Sequence, residues 1–208
     1  MSDISTMKDQ LKTVSTVSLI GNAILETRMS FLEGFGRFLY PPVKLLPDDI
    51  FKVGMHAAWY SKVAFSGVLS ATAGIGYTAL DIRKYGLNRN NASLLVGHSF
   101  YALQGFSLYR AMAFSGHEFH ALSIRASRYG GIADGIKAGH YLMQRDYKNA
   151  LMYTLFSGGN FGMMVLMNPH ATGWQKTLRP HLRMVPPWAM LAAGVAVWFM
   201  PGEWFNRR

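Results

Sequence analysis

Cysteine is absent from the 208 residues of this chain. That excludes disulfides, thiolate nucleophiles, iron–sulfur clusters and cysteine-ligated zinc. Charge is also scarce. Asp, Glu, Lys and Arg make up 15% of the residues, against about 25% in an average soluble domain. Common catalytic signatures are missing too. There is no G-x-S-x-G elbow, and Gly74-Ile75-Gly76 lies inside an apolar run instead of after a strand-like segment. Gly116-His117-Glu118-Phe119-His120 sets its histidines three apart, where the zinc-protease H-E-x-x-H needs four. No carboxylate stands inside any long uncharged run, which disfavours transport through acids at mid-membrane. With no catalytic constellation visible, the chain reads as a non-enzyme.

Half of the residues are hydrophobic, and the formal net charge is +10. The basic excess is not uniform, because residues 1–52 carry six Lys/Arg and six Asp/Glu. It gathers between and after the apolar runs, where cations suit anionic lipid headgroups such as cardiolipin. The headgroup candidates are Arg83, Lys84, Lys176, Arg179, Arg183, Arg207 and Arg208. A nucleic-acid surface would concentrate its cations in one stripe, and this pattern does not. Residues 1–15 hold Asp3 and Asp9 among polar neighbours, unlike a secretory signal or an Arg-rich presequence. An organellar address would therefore be internal.

Four uncharged runs dominate the rest of the chain: 63–80, 92–109, 149–175 and 184–202. A helix needs about 20 apolar residues to cross a bilayer. The expected fold class is therefore an all-α integral membrane protein with about four transmembrane helices, near 58–80, 91–110, 149–168 and 185–202. The second helix is expected to continue past Arg110 as far as Gly130-Gly131, projecting from the membrane. Residues 132–148 should form a short amphipathic helix, which makes 111–148 an extramembrane segment. The four-span domain occupies 47–208. Ahead of it, residues 1–46 form an arm. Ile4, Met7, Leu11, Val14, Val17, Ile20 and Ile24 recur there at steps of three or four, which predicts a long amphipathic helix. Pro41-Pro42 should end it.

Helices in lipid associate through small residues that let backbones approach closely. Three stripes of that kind are present: Ser66, Gly67, Ser70, Ala71 and Gly74 in the first span, Gly158 and Gly162 in the third, and Ala189 and Ala193 in the fourth. Asn160 should hydrogen-bond across a helix contact. His98 in the second span, and the His117–His120 pair, are the only candidates for holding a haem, pigment or metal; the expectation is that no cofactor is bound. Together these features point to a non-catalytic accessory subunit of a large hetero-oligomeric membrane complex, contributing packing and lipid contacts. A respiratory-chain or ATP-synthase complex of the mitochondrial inner membrane is the expected setting. A small oligomeric transporter or channel is the first alternative, and a membrane enzyme or pigment-binding subunit the second.

Overall fold

The computed structural model describes residues 2–39, 57–112, 116–168 and 170–205. Among them are seven α-helices and no strand: α1 (Ser2–Leu39), α2 (Ala57–Tyr85), α3 (Arg89–Met112), α4 (Gly116–Met143), α5 (Tyr147–Met167), α6 (Trp174–Met184) and α7 (Pro187–Phe199). A 3-10 turn, Gly202–Trp204, follows.

Local chemistry sets the boundaries. Gly86 has φ +72° and donates its N–H to the Ile82 carbonyl at 2.9 Å. This is the left-handed closure that ends many helices, and glycine adopts it without steric cost. The Asn88 side-chain oxygen accepts from the N–H groups of Asn90 and Asn91 at 3.0 and 3.1 Å, capping the start of α3. Asp146 does the same for α5 by accepting from the Asn149 N–H. Pro187 opens α7, where its missing N–H costs nothing. At the far end of α5, Arg179 of α6 donates to the Val165 and Asn168 carbonyls. Those acceptors have no partner inside the helix, and the C-terminal end of a helix favours a cation.

The helices close into a ring. Helix α1 packs on α2, α2 on α3, α3 on α4, α4 on α5, α5 on α7, and α7 returns to α1, while α6 packs on α5. The short connections from α3 to α4 and from α4 to α5 make these helices antiparallel neighbours.

Several expectations change. Helix α3 stops at Met112, and a separate helix begins at Gly116. The segment therefore does not project: α4 lies along both α3 and α5. Gly130 and Gly131 are buried in the middle of α4 and do not terminate it. A Cβ at either position would collide, with the Gln104 side chain at 2.6 Å and the Phe161 ring at 2.9 Å. They are glycines because other helices sit against their backbone.

The N-terminal helix forms, but most of its apolar stripe does not face the bundle. Ile4, Met7, Val14, Val17 and Ile24 are exposed, whereas Ser15, Leu19, Ile20, Asn22 and Ala23 are buried. Among the described residues, one helix, Lys62–Tyr85, is long and apolar enough to cross a membrane. The fourth expected span is short, since the 13 residues of α7 rise only about 20 Å. A break of 68° separates α7 from Trp174–Leu182 of α6, so these two would make at most one broken span. The Pro41-Pro42 stop and the start of the four-span domain at residue 47 lie outside the described residues.

Small residues occupy the helix contacts. Ser15 and Ser70 bond each other's carbonyls at 2.8 and 2.7 Å, joining α1 to α2. Ser66 reaches Asn22 at 3.0 Å. Ala71 is fully buried in the main core cluster, and Gly67 lies against Asn22 and the Gly105 backbone. Gly158, Gly159 and Gly162 receive Met190, Leu191 and Pro187 of α7. Helix α7 answers with Pro187, Leu191, Gly194 and Val197. Ala193 is exposed and Ala189 only half-buried, so the alanine stripe is not the buried face of α7. The apolar bulk of Leu191 and the notch at Gly194 (which accepts the Phe156 ring) define that face.

Candidate functional site

A polar stripe runs along the inner face of α4. Asp134, Lys137 and His140 recur at steps of three, one helical turn apart, and all three are buried. Ser123 and Ser127 continue the stripe towards the N-terminal end, also buried. Each titratable side chain has a defined setting. Tyr101 of α3 donates its hydroxyl to Asp134 Oδ1. Asn160 of α5 donates to Asp134 Oδ2 at 3.0 Å. Lys137 lays its stem against Gly97. Its Nζ lies over the Tyr101 ring at 4.8 Å and the Tyr153 ring at 5.2 Å, a cation–π arrangement. His140 places Nδ1 2.9 Å from Ser93 Oγ and Nε2 3.0 Å from the Gln144 amide. Gln144 is exposed, so this end of the stripe meets the surface.

At the inner end, a small cavity is lined by Asn22, Tyr101, Gln104, Asp134 and Asn160 together with Leu19, Phe156 and Leu191. Four of the ring's helices thus direct polar groups to one point. Burying a carboxylate costs several kcal/mol. Two hydrogen bonds to the charged form offset about 3–6 kcal/mol of that, and a cation one turn away adds to the offset. The contacts from Tyr101 and Asn160 thus offset part of the cost of burying Asp134.

His98 sits in the adjoining layer with no exposed surface. Its Nε2 is 2.9 Å from the Tyr77 hydroxyl. Its Nδ1 faces Gly74, where a Cβ would come within 2.1 Å. The ring is thus enclosed on both edges and presents no open face to a planar macrocycle. His117 and His120 lie in the first turns of α4, and their side chains fall outside the described residues. Among the described residues, no group of three or more His, Cys, Asp or Glu side chains could hold a metal ion.

The headgroup candidates separate in the same way. Arg83, Lys84 and Lys176 are exposed. Arg179 is partly buried and donates through Nε and Nη2 to the C-terminal carbonyls of α5. The Arg183 side chain and residues Arg207 and Arg208 lie outside the described residues.

Sequence reasoning missed Asp134, Lys137 and His140, because residues 132–148 read as a surface helix, and Tyr101, because nothing in the uncharged run 92–109 marks it out. A signal was present: Gly130-Gly131-Ile132-Ala133-Asp134-Gly135-Ile136-Lys137-Ala138-Gly139 is dense in small residues. That density marks a helix packed closely on its neighbours, and charged residues inside such a segment become interior groups. Compared with known protein families, curated proteins and solved structures, the chain matches none.

Proposed function

We propose that this chain is a membrane-embedded helical subunit of a larger assembly, with a packing role on its outer surface. One observation carries the reading: large apolar side chains are widely exposed on the outside of the bundle, while several titratable groups are buried within it. Phe65, Phe106 and Phe199 are 70%, 57% and 72% exposed, while His98, Asp134 and Lys137 are at most 3% exposed. Fully burying a Phe side chain is worth about 1.5–3 kcal/mol relative to leaving it in water. A freely soluble monomer would forgo that repeatedly, since Val17, Val96, Leu103, Tyr109 and Leu151 also face outward. A lipid or subunit surround removes the cost. Small and polar residues on the inner faces fit the same surround, because lipid offers no hydrophobic gain for helix association.

The apolar face of α1 is the natural seat for a neighbouring subunit, as it extends along one side of a helix that the ring covers only on the other. The mitochondrial inner membrane, with a respiratory-chain or ATP-synthase complex as host, is proposed from the basic edges of the sequence alone. The test is membrane extraction followed by native electrophoresis in mild detergent. The protein should resist alkaline carbonate and co-migrate with a complex several times its own 23.2 kDa. Release by carbonate as a free monomer would overturn the reading. Leu69→Lys with Leu103→Lys, both exposed and near the middle of the uncharged runs 63–80 and 92–109, should impair integration, since each Lys costs about 2.5–3.5 kcal/mol near a bilayer centre.

A further inference from the structure

We propose that Asp134 is a proton-binding site, loaded from the surface through His140 and Lys137. This goes beyond the membrane reading and does not depend on it, because the stripe is interior to the ring whatever surrounds the protein.

The geometry has three parts. An acceptor sits at the inner end: Asp134 is 2% exposed, and its two oxygens take hydrogen bonds from Tyr101 and Asn160. An entry sits at the outer end, where the His140 imidazole lies between Ser93 and the exposed Gln144. An imidazole is the side chain best suited to exchange protons with water near neutrality. Lys137 stands between them, one turn from each. Successive groups at steps of three lie on one helix face, about 5–6 Å apart at Cβ. The two tyrosine rings hold the Lys137 ammonium between its neighbours without an ion pair to the carboxylate.

The groups around the site are known from every adjacent helix. From α3 come His98 and Tyr101, from α5 Tyr153 and Asn160, and from α4 itself Lys137, His140 and Tyr141; Tyr77 of α2 stands behind His98. Helices α1 and α7 contribute the neutral Asn22 and Leu191 to the cavity. Asp134 is the carboxylate within the stripe, while the charge of Asp146, at the start of α5, also acts on Tyr141 and Tyr153. Proton transfer balances simply. The Lys137 ammonium gives one proton to the Asp134 carboxylate, the amine left behind takes a proton from the His140 imidazolium, and that imidazolium is formed with a proton taken up from solvent. His140 and Lys137 are left as they began.

Infrared difference spectroscopy of the purified full-length protein, cycled between about pH 5 and about pH 9, tests this directly. The expected result is a protonated-carboxyl C=O band that appears on acidification, shifts in heavy water and is lost in Asp134→Asn. Labelling aspartate carboxyls with carbon-13 shows whether the band belongs to an aspartate, and Asp134→Glu, which keeps a carboxyl but escapes the label, assigns it to this position where Asp134→Asn fails to fold. His140→Gln keeps amide partners for Ser93 and Gln144 but cannot carry the proton. It should leave the band in place and slow its appearance after a pH jump by roughly 100-fold, the lower end of what a positioned acid–base group supplies. An aspartate band that does not change over this pH range would overturn the proposal, as would wild-type kinetics in His140→Gln. A buried pair with a purely structural role gives that first, static result. Failure of the carbonate extraction would leave these outcomes untouched.

Discussion

Gly74→Ala isolates the contact that organises the interface between α2 and α3. An ideal Cβ at this position would lie 2.1 Å from His98 Nδ1, 2.3 Å from Cε1 and 2.5 Å from Cγ, whereas carbon atoms rest about 3.5–4.0 Å apart. The imidazole must therefore retreat by more than about 1 Å, and it has no exposed surface through which to do so. Overpacking of this kind costs about 1–3 kcal/mol. The displaced ring also leaves the Tyr77 hydroxyl unpaired in the interior, which costs about 1–3 kcal/mol more. Replacing a helical glycine by alanine recovers about 1 kcal/mol. The net loss is about 1–5 kcal/mol, and at about 2–4 °C per kcal/mol for a chain of this size the midpoint falls by roughly 2–20 °C. The assay is thermal unfolding at one scan rate in one detergent. Gly139→Ala is the control, because it lies within α4 with nothing within 4 Å of the added carbon, and it should raise the midpoint by about 2–4 °C. In a His98→Ala background the space is vacant, so Gly74→Ala should cost nothing there. If the loss persists undiminished in that background, or if the two glycine variants behave alike, the steric reasoning is wrong.

Other contacts give smaller and differently signed effects. Gly194→Ala would bring a Cβ to 2.5 Å from the Phe156 ring and 3.2 Å from the Met152 carbonyl; it should destabilise by about 1–3 kcal/mol, read as a lower unfolding midpoint. Ser70→Ala removes the hydroxyl that donates to the Ser15 carbonyl at 2.7 Å and should cost about 0.5–1.5 kcal/mol. A double-mutant cycle with Ser15→Ala should return a coupling energy well away from zero, since the two hydroxyls share one contact. The Lys8–Asp81 ion pair spans 2.5 Å but is partly exposed, at 32% and 19% for the two side chains. Asp81→Asn should accordingly shift stability by no more than about 1 kcal/mol, and the shift should disappear in about 1 M salt, where screening acts over about 3 Å.

Much of the secondary structure was legible from local signals. The spacing of Ile4, Met7 and Leu11 announced a long first helix, and α1 runs Ser2–Leu39. The uncharged run 63–80 announced α2, and the Pro186-Pro187 pair marked the entry to α7. These features are written in neighbouring residues, through helical period, proline geometry and charge, so they need no knowledge of what packs where. The small residues at 66–74 and 158–162 were also readable, because a missing side chain is informative wherever it recurs at helical spacing.

The sequence by itself determined that this protein is helical, poor in charge and closely packed. Tertiary structure decided which face of each helix points inward. Most of the apolar stripe of α1, Ile20 apart, turned outward because the ring interior was filled by Ser15, Leu19, Asn22 and Ala23, which match the hydroxyls and glycines of α2. A stripe shows that a helix has two faces but not which medium meets each, and that depends on the partner across the contact. The same holds for Gly130-Gly131. Two adjacent glycines favour termination locally, yet contacts from Gln104 and Phe161 hold the helix through them. Asp134, Lys137 and His140 are ordinary surface residues when read along the chain. Closure of α3, α4 and α5 around them removes their water and leaves them with one another, Tyr101 and Asn160.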